Sequence, residues 1–184
     1  MGKLDYPTNI ITVKGGIVLN NKDEFCENIR LCESAMYHLA FSIMKNDADA
    51  GDVISESIYR AYKNLHTLKN KKHFKTWILA IVHNTAIETI RKNSKMIPTD
   101  EIEDSISNDS YNSLTTKLTV HDAIQKLKQP YQTVVILFYL ENLSILEISQ
   151  ITHSNIVAVK KQLSRARKML LEDLKEDFNH EEIR

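Results

Sequence analysis

The sequence predicts an all-α chain, two small helical domains joined by a flexible acidic linker, the C-terminal one a helix-turn-helix. Three observations carry this. Only 4 glycines and 3 prolines occur in 184 residues, and beyond Gly16 the chain lacks the turn residues that a many-stranded fold needs. Apolar residues recur at spacings of three and four over long stretches, the pattern of helices with one buried face. Between residues 93 and 113 that rhythm stops, and Ser, Asn and Asp take over around Pro98, as in a linker. The length permits one ordinary domain or two small ones, and two is the simpler account of the interruption.

Residues 1–22 read as a poorly ordered N-terminal arm with a short β-prone stretch at Ile10 to Val13. A helix over Asp23 to Met44 turns Phe25, Ile29, Cys32, Met36, Leu39, Ala40 and Ile43 to one side. Asp47 or Asp49 can cap the next helix, which runs to about Leu65. Its stripe is Ala50, Val53, Ile54, Ile58, Ala61, Tyr62 and Leu65, which leaves Asp49, Asp52, Ser55, Glu56, Tyr59 and Lys63 facing outward. A basic connection, HTLKNKKH, leads to a third helix over Phe74 to Lys92, with Trp77, Ile78, Ile81, Ala86 and Ile90 inward. The first domain thus spans 23–93 and the acidic linker 94–113. The second domain, 114–176, holds a helix over 114–128, one opened by Pro130 and ending near Leu140, a short helix over 144–151 and a long one from Asn155 to about Lys175. Residues 177–184 form a tail.

Several function classes drop out. The longest apolar run, Val134 to Leu140, is far short of the about 20 residues that span a bilayer. The N-terminus has no charged start followed by an apolar core, so no secretory signal is expected, and Tyr6 stands where a myristoylation signal needs Ser or Thr. Cys26 and Cys32 are spaced as neither a redox pair nor a zinc pair, and read as reduced, half-buried thiols of a cytoplasmic protein. None of the 7 histidines falls in a metal-ligand spacing. With no phosphate loop and no nucleophile elbow either, the expectation is no catalytic residue, no metal, no cofactor and no small-molecule substrate.

Charge is balanced overall, 24 bases against 24 acids, but strongly segregated. Asp47, Asp49, Asp52 and Glu56 form an acidic block; Lys69, Lys71, Lys72, Lys75, Arg91 and Lys92 face Glu88 alone; Asp100, Glu101, Glu103, Asp104 and Asp109 form a second acidic block. Ser154 to Leu170 then carries Lys160, Lys161, Arg165, Arg167 and Lys168 with no acid. Blocks of alternating sign point to several partners of different charge.

The last block has a plan. Ser144 can cap a short helix, with Glu147 completing a capping box. Ile145, Ile148 and Ile151 give that helix an inner face, and Thr152 to Ser154 make a corner. Ile156, Val159, Leu163, Ala166 and Leu170 then line the inside of a longer helix. Such a pair is a helix-turn-helix, whose second helix enters the DNA major groove. Ser154, Asn155, Val157, Ala158 and Lys161 would meet base edges, and Lys160, Ser164, Arg165 and Lys168 phosphates. In the first domain, lysines near Phe74 and Trp77 suit single-stranded DNA, with core packing as the competing reading of Trp77. The acidic face over 47–63 suits a protein instead.

Three stretches together resemble a known family. DAGDVISESIYRAY, Asp49 to Tyr62, is similar to the polymerase-binding segment of bacterial sigma factors. FKTWILAIVHNTAIETIRK, Phe74 to Lys92, is similar to their promoter −10 segment. LSILEISQITHSNIVAVKKQLSRARKML, Leu143 to Leu170, is similar to their −35-binding helix-turn-helix. They stand in the family's order and cover about residues 23–175. Ser55 replaces a usual Gln, Gly51 a usual acid, Ala158 a usual Thr or Ser, and Gln162 a usual Arg. The short linker resembles that of the extracytoplasmic-function group.

The resemblance implies a promoter-specificity subunit of RNA polymerase, acting in an envelope or extracytoplasmic stress response. Asp49, Asp52, Ser55, Glu56 and Tyr59 would bind the clamp helices of the β′ subunit, and the second domain the β flap. Lys69, Lys71, Lys72, His73, Lys75, Asn84 and Arg91 would take melted −10 DNA, and the helix-turn-helix double-stranded −35 DNA. The resemblance further implies an anti-sigma factor, membrane-anchored in many members, that holds the protein at the inner face of the membrane until it joins the nucleoid. A stand-alone dimeric helix-turn-helix regulator is the alternative; it leaves residues 49–62 and 74–92 without a role.

Overall fold

A computed structural model describes residues 12–13, 16–17, 21–96 and 120–181. The described chain is helical apart from one small hairpin, β1 (Thr12–Val13) against β2 (Gly16–Ile17), antiparallel with Thr12 opposite Ile17 and Val13 opposite Gly16. The expected linker lies mostly outside the described residues, as does most of the arm.

Helix α1 (Asn21–Met44) opens with Asp23 and Glu24 in its first turn, where carboxylates meet the positive end of the helix dipole. Lys45 breaks it with a φ of 65°. Asn46, rather than Asp47 or Asp49, then caps α2 (Asp47–Lys63): its backbone is extended and its side chain accepts from the amide of Asp49 at 2.8 Å. The two aspartates sit inside the first turn and complement the dipole. Asn64 closes α2, and two short 3₁₀ turns, Leu65–Thr67 and Lys71–His73, lead into α3 (Phe74–Met96). The third helix therefore absorbs Ser94, Lys95 and Met96, which sequence alone gives to the linker.

The three helices pack on each other around Phe25, Met36, Leu39, Val53, Ala61, Phe74, Ile78 and Val82. Leu79 and Val82 are fully buried although the simple stripe omits them. Ile90, expected inside, is exposed, one turn beyond Ala86, the last buried residue of α3. Tyr62 is also exposed; its ring lies edge-on over Phe25 at 5.5 Å and covers the core from outside. Cys32 is buried, and burial raises its thiol pKa. Cys26, next to Phe25 but on the opposite side, is exposed and not a core thiol.

The C-terminal helices are α4 (Val120–Lys126), α5 (Tyr131–Val135), α6 (Ile145–Ile151) and α7 (Ile156–Glu181). Pro130 caps α5, and the same rod continues as a π turn over Ile136–Leu140. The predicted box is present on α6: Ser144 Oγ accepts from the Glu147 amide, and a Glu147 carboxylate oxygen accepts from the Ser144 amide at 2.9 Å. The Ser144 hydroxyl also donates to that carboxylate, at 2.7 Å, and this bond together with the one from the Ser144 amide holds the Glu147 carboxyl below its usual range. Ser144→Ala should cost about 1 kcal/mol of stability, read from the urea midpoint; an unchanged midpoint would mean that the cap contributes nothing.

One buried cluster runs through both halves. Val134, Leu137, Leu143, Ile148, Ile151, Val159 and Leu163 belong to it along with the residues of α1 to α3. A smaller cluster, Ile124, Leu127, Val135, Ile136 and Ala166, lies among α4, α5 and α7. Among the described residues no helix is long and apolar enough to cross a membrane.

Candidate nucleic-acid interface

The α6–turn–α7 unit has the geometry its sequence predicts. The amide of Thr152 donates to Ile148 O at 2.9 Å and that of Ser154 to Ser149 O at 3.1 Å, so the chain turns within three residues. His153 takes the left-handed position, φ 51°, a region in which His is among the more tolerated residues. Asn155 caps α7, accepting from the Ala158 amide at 2.7 Å. Val159, Leu163 and Ala166 lock the inner side of α7. Ile156, expected with them, is exposed in the first turn.

The outer side presents Asn155, Val157, Lys160, Lys161, Ser164, Arg165 and Lys168 to solvent, with Ser154 and Ala158 half-buried. The five cations divide. Arg167 donates to the Tyr139 hydroxyl at 2.7 Å and lies 5.7 Å from the Phe138 and Tyr139 rings, which takes it off the free face. Lys168 approaches Glu172 at 3.8 Å, an exposed pair of little energetic weight. Lys160, Lys161 and Arg165 make no ion pair among the described residues. An unneutralised row of this kind attracts phosphates.

The first domain's basic residues are less united. Asn70 accepts from the Lys72 amide at 3.0 Å and caps the turn that displays Lys71, Lys72 and His73. Lys69, Lys72, His73 and Arg91 are exposed, while Lys71 reaches back to Glu24 at 2.6 Å. Phe74 is buried and unavailable for base stacking; Trp77 is half-buried against it, centroids 5.7 Å apart. Lys75 and Asn84 are held by the C-terminal half. Lys75 Nζ donates to the Glu141 carboxylate at 2.9 Å and to Glu141 O at 3.1 Å. Asn84 Nδ2 lies 3.1 Å from His153 Nε2.

On α2, Asp52, Ser55, Glu56 and Tyr59 are all exposed on one side, with Asp49 half-buried beside them. Asp49 accepts from Asn46 at 2.7 Å. Arg60 joins Glu56 to Glu88 of α3, both at 2.7 Å, and these two bonds raise its guanidinium pKa further. Lys63 sits 5.1 Å over the Tyr59 ring. A Cβ at Gly51 would meet nothing within 4 Å, so a side chain could start there without a clash.

Sequence reasoning missed Glu141. Its side chain is 8% exposed and bridges His38 of α1, at 2.9 Å, and Lys75 of α3. Burial alone would raise its carboxyl pKa; the hydrogen bonds and charges of His38 and Lys75 outweigh burial and lower it. The available signal was a lone acid directly after a long apolar run.

Comparison with known proteins connects these surfaces. A family model for sigma-70 region 2 matches residues 29–96, and one for sigma-70 region 4 matches residues 117–170. The RNA polymerase sigma factor SigV of Bacillus subtilis is 36% identical over 148 residues, 78% of this chain and 87% of that protein. The chain belongs to the sigma-70 family. The sigma factor is also 26% identical to the ECF sigma factor SigW of Bacillus subtilis, over 85% of this chain and 91% of that one. It falls in the extracytoplasmic-function group and is a promoter-specificity subunit of RNA polymerase. Among solved structures, the sigma factor RpoE of Bartonella quintana, in complex with the anti-sigma factor NepR, shares the fold. Its TM-score is 0.67 at 21% identity, covering 83% of this chain and 97% of that one. CnrH, in complex with the cytosolic domain of CnrY, matches with a TM-score of 0.61 at 18% identity. The region 2 match ends at the last residue of α3, and the region 4 match ends within α7.

Proposed function

We propose that this sigma factor uses two oppositely charged surfaces for its two tasks. The exposed side of α2, Asp49, Asp52, Ser55, Glu56 and Tyr59, meets the β′ clamp helices of core polymerase. The outer side of α7 meets −35 duplex. Ser154, Asn155, Val157, Ala158 and Lys161, at the start of that helix, read base edges; Lys160, Ser164, Arg165 and Lys168 hold phosphates. The residues Lys69, Lys71, Lys72, His73, Lys75, Asn84 and Arg91 hold the melted −10 strand, with Asn84 in the pocket for a flipped base. The observation that carries this reading is the segregation of charge: acids on α2, and on α7 three cations that no acid among the described residues neutralises.

Melting explains the division of labour. Stacking is worth about 1.4 kcal/mol per step, so opening roughly ten pairs costs on the order of 14 kcal/mol. A chain of this size does not supply that alone. Core polymerase contributes the channel and the catalytic centre, the β flap holds the second domain, and the sigma factor, itself non-catalytic, chooses the site. Units over 23–93 and 114–176, with an acidic linker between, fit these roles. One solved relative, RpoE of Bartonella quintana, was captured with an anti-sigma factor; we place this protein under the same kind of control, in the cytoplasm, in a response to envelope stress.

The test of the α7 assignment is salt dependence. Lys160→Ala in the reconstituted holoenzyme should weaken every promoter alike and reduce the slope of log affinity against log salt by about 0.9. A slope identical to wild type removes Lys160 from the phosphate contacts.

A further inference from the structure

At the start of α7 the polar side chains are largely engaged inside the protein. Asn155 Oδ1 accepts from the Ala158 amide at 2.7 Å, which ties that side chain back along its own helix. A bidentate grip on adenine uses both the oxygen and the nitrogen of an asparagine, and here the oxygen is in use. Ser154 Oγ donates to Thr152 O at 3.4 Å. Gln162, further along, is half-buried, with its Oε1 out of solvent and without a hydrogen bond. What the first turn opens to solvent is apolar. Val157 is 61% exposed and Ile156 42%, and the half-buried Ala158 offers only a methyl group.

A single exposed valine on a protein surface is ordinary; the place of Val157 is not. Val159, Leu163 and Ala166 fix the buried side of α7. Helix geometry puts Val157, Lys161, Ser164 and Lys168 in one stripe on the opposite side, all of them exposed. Val157 heads that stripe. Lys160, Lys161 and Arg165, without an ion pair among the described residues, flank it. Ile156 lies about 100° round the helix from Val157, toward the core edge. The face is an aliphatic tip in a cationic frame. Three cations without counter-charge select a polyanion, and one that fits this face must offer something apolar where Val157 touches it. The major groove of DNA has one such group, the C5-methyl of thymine.

We propose that Val157 reads a thymine methyl group in the −35 duplex, with the Ala158 methyl beside it, so that this sigma factor selects its upstream element in part by an apolar contact. The inference rests on the −35 reading of α7 above and names the feature of the base that the helix takes. Valine suits the task. Its β-branched side chain holds one strongly preferred rotamer in a helix, so little freedom is lost when it meets the base. Cytosine has no methyl group to offer at that place, and exchanging T·A for C·G leaves the valine against an unfilled groove. The contact also has a signature that hydrogen bonding lacks. Uracil presents the same O4 acceptor as thymine and differs only by the missing methyl, so a hydrogen-bonding reader treats the two alike and a methyl reader does not.

The test uses holoenzyme reconstituted from the full chain and bacterial core polymerase, on a promoter at which that holoenzyme initiates. Synthetic duplexes of this promoter carry uracil in place of each thymine near −35, one at a time and on either strand, and holoenzyme affinity is measured at fixed salt. Uracil at one or two neighbouring positions should weaken binding about fourfold, the worth of one methyl group taken out of water, while the other thymines tolerate it. This arm uses the wild-type chain and needs no variant to fold. Val157→Ser, its folding verified by circular dichroism, should bind the thymine and uracil duplexes equally. Ile156→Ser, which changes an exposed apolar residue off the stripe, should keep the difference. A wild-type holoenzyme indifferent to uracil throughout the −35 region, or promoters without thymine there on either strand, overturns the methyl contact. So does a loss of affinity in Val157→Ser without any uracil effect, which would put the valine against a protein or another part of the duplex. A uracil effect that survives Val157→Ser, or that Ile156→Ser abolishes as well, overturns the role of Val157. No initiation at any promoter by wild-type chain with an active core overturns the sigma reading on which the inference rests.

Discussion

Asp52→Arg should abolish binding to core polymerase while the protein melts as the wild type does. Asp52 is exposed at the centre of the acidic side of α2, beside Ser55, Glu56 and Tyr59. It packs into no core, so the fold has no use for its charge. Arginine is a better helix former than aspartate, and at this position it stands four residues before Glu56, a favourable pairing on a helix surface. Stability should change by no more than about 0.5 kcal/mol. A partner that fits an acidic face is itself basic there, and placing a cation against it costs several kcal/mol, a loss of affinity on the order of 100-fold or more. The check is a pull-down or titration with core polymerase alongside a thermal melt. Normal core affinity would remove this side of α2 from the polymerase contact.

Ile148→Ala should cost about 3 kcal/mol, within the usual range for emptying a buried aliphatic site. Ile148 is fully buried and belongs to the cluster that joins α6 to α7 and to α3. Its near neighbour Leu146 is 55% exposed on the same short helix, so Leu146→Ala should cost less than about 0.5 kcal/mol. The contrast separates burial from helix propensity, because both changes replace a larger residue by alanine in one seven-residue helix. Urea denaturation of the pair measures it. Equal midpoints would mean that α6 is not anchored as described. Loss of Ile148 should also weaken −35 binding, since α7 takes its orientation from this corner.

Much of the fold was legible in the sequence because its helices obey local rules. The capping box of Ser144 and Glu147, the spacing of Val159, Leu163 and Ala166, and the exposed acids of α2 are statements about residues three or four apart, and helix geometry enforces them. What stayed hidden depends on residues far apart in sequence. The His38–Glu141 bond joins positions separated by 103 residues, and Asn84–His153 by 69; no period announces either. Errors inside the helices have the same origin. Ile90 continues the stripe of α3 past the point where neighbours cover it, and Tyr62 lies over Phe25 rather than under anything. Asn46 displaced Asp47 and Asp49 as the cap of α2 because Lys45 turns at positive φ and leaves Asn46 extended at the helix entrance. The candidate DNA residues were the least legible. Charge pattern finds lysines, but it does not tell a free one such as Lys72 from Lys75, which Glu141 holds.

The most direct measurement is transcription in vitro with bacterial core polymerase and genomic DNA from the source organism, with and without this protein, mapping transcript 5′ ends. New starts preceded by a shared pair of motifs near −35 and −10 are the predicted result, and they define the promoter sequence in the same step. No new starts from an active core, together with no binding of this protein to that core, would contradict the account.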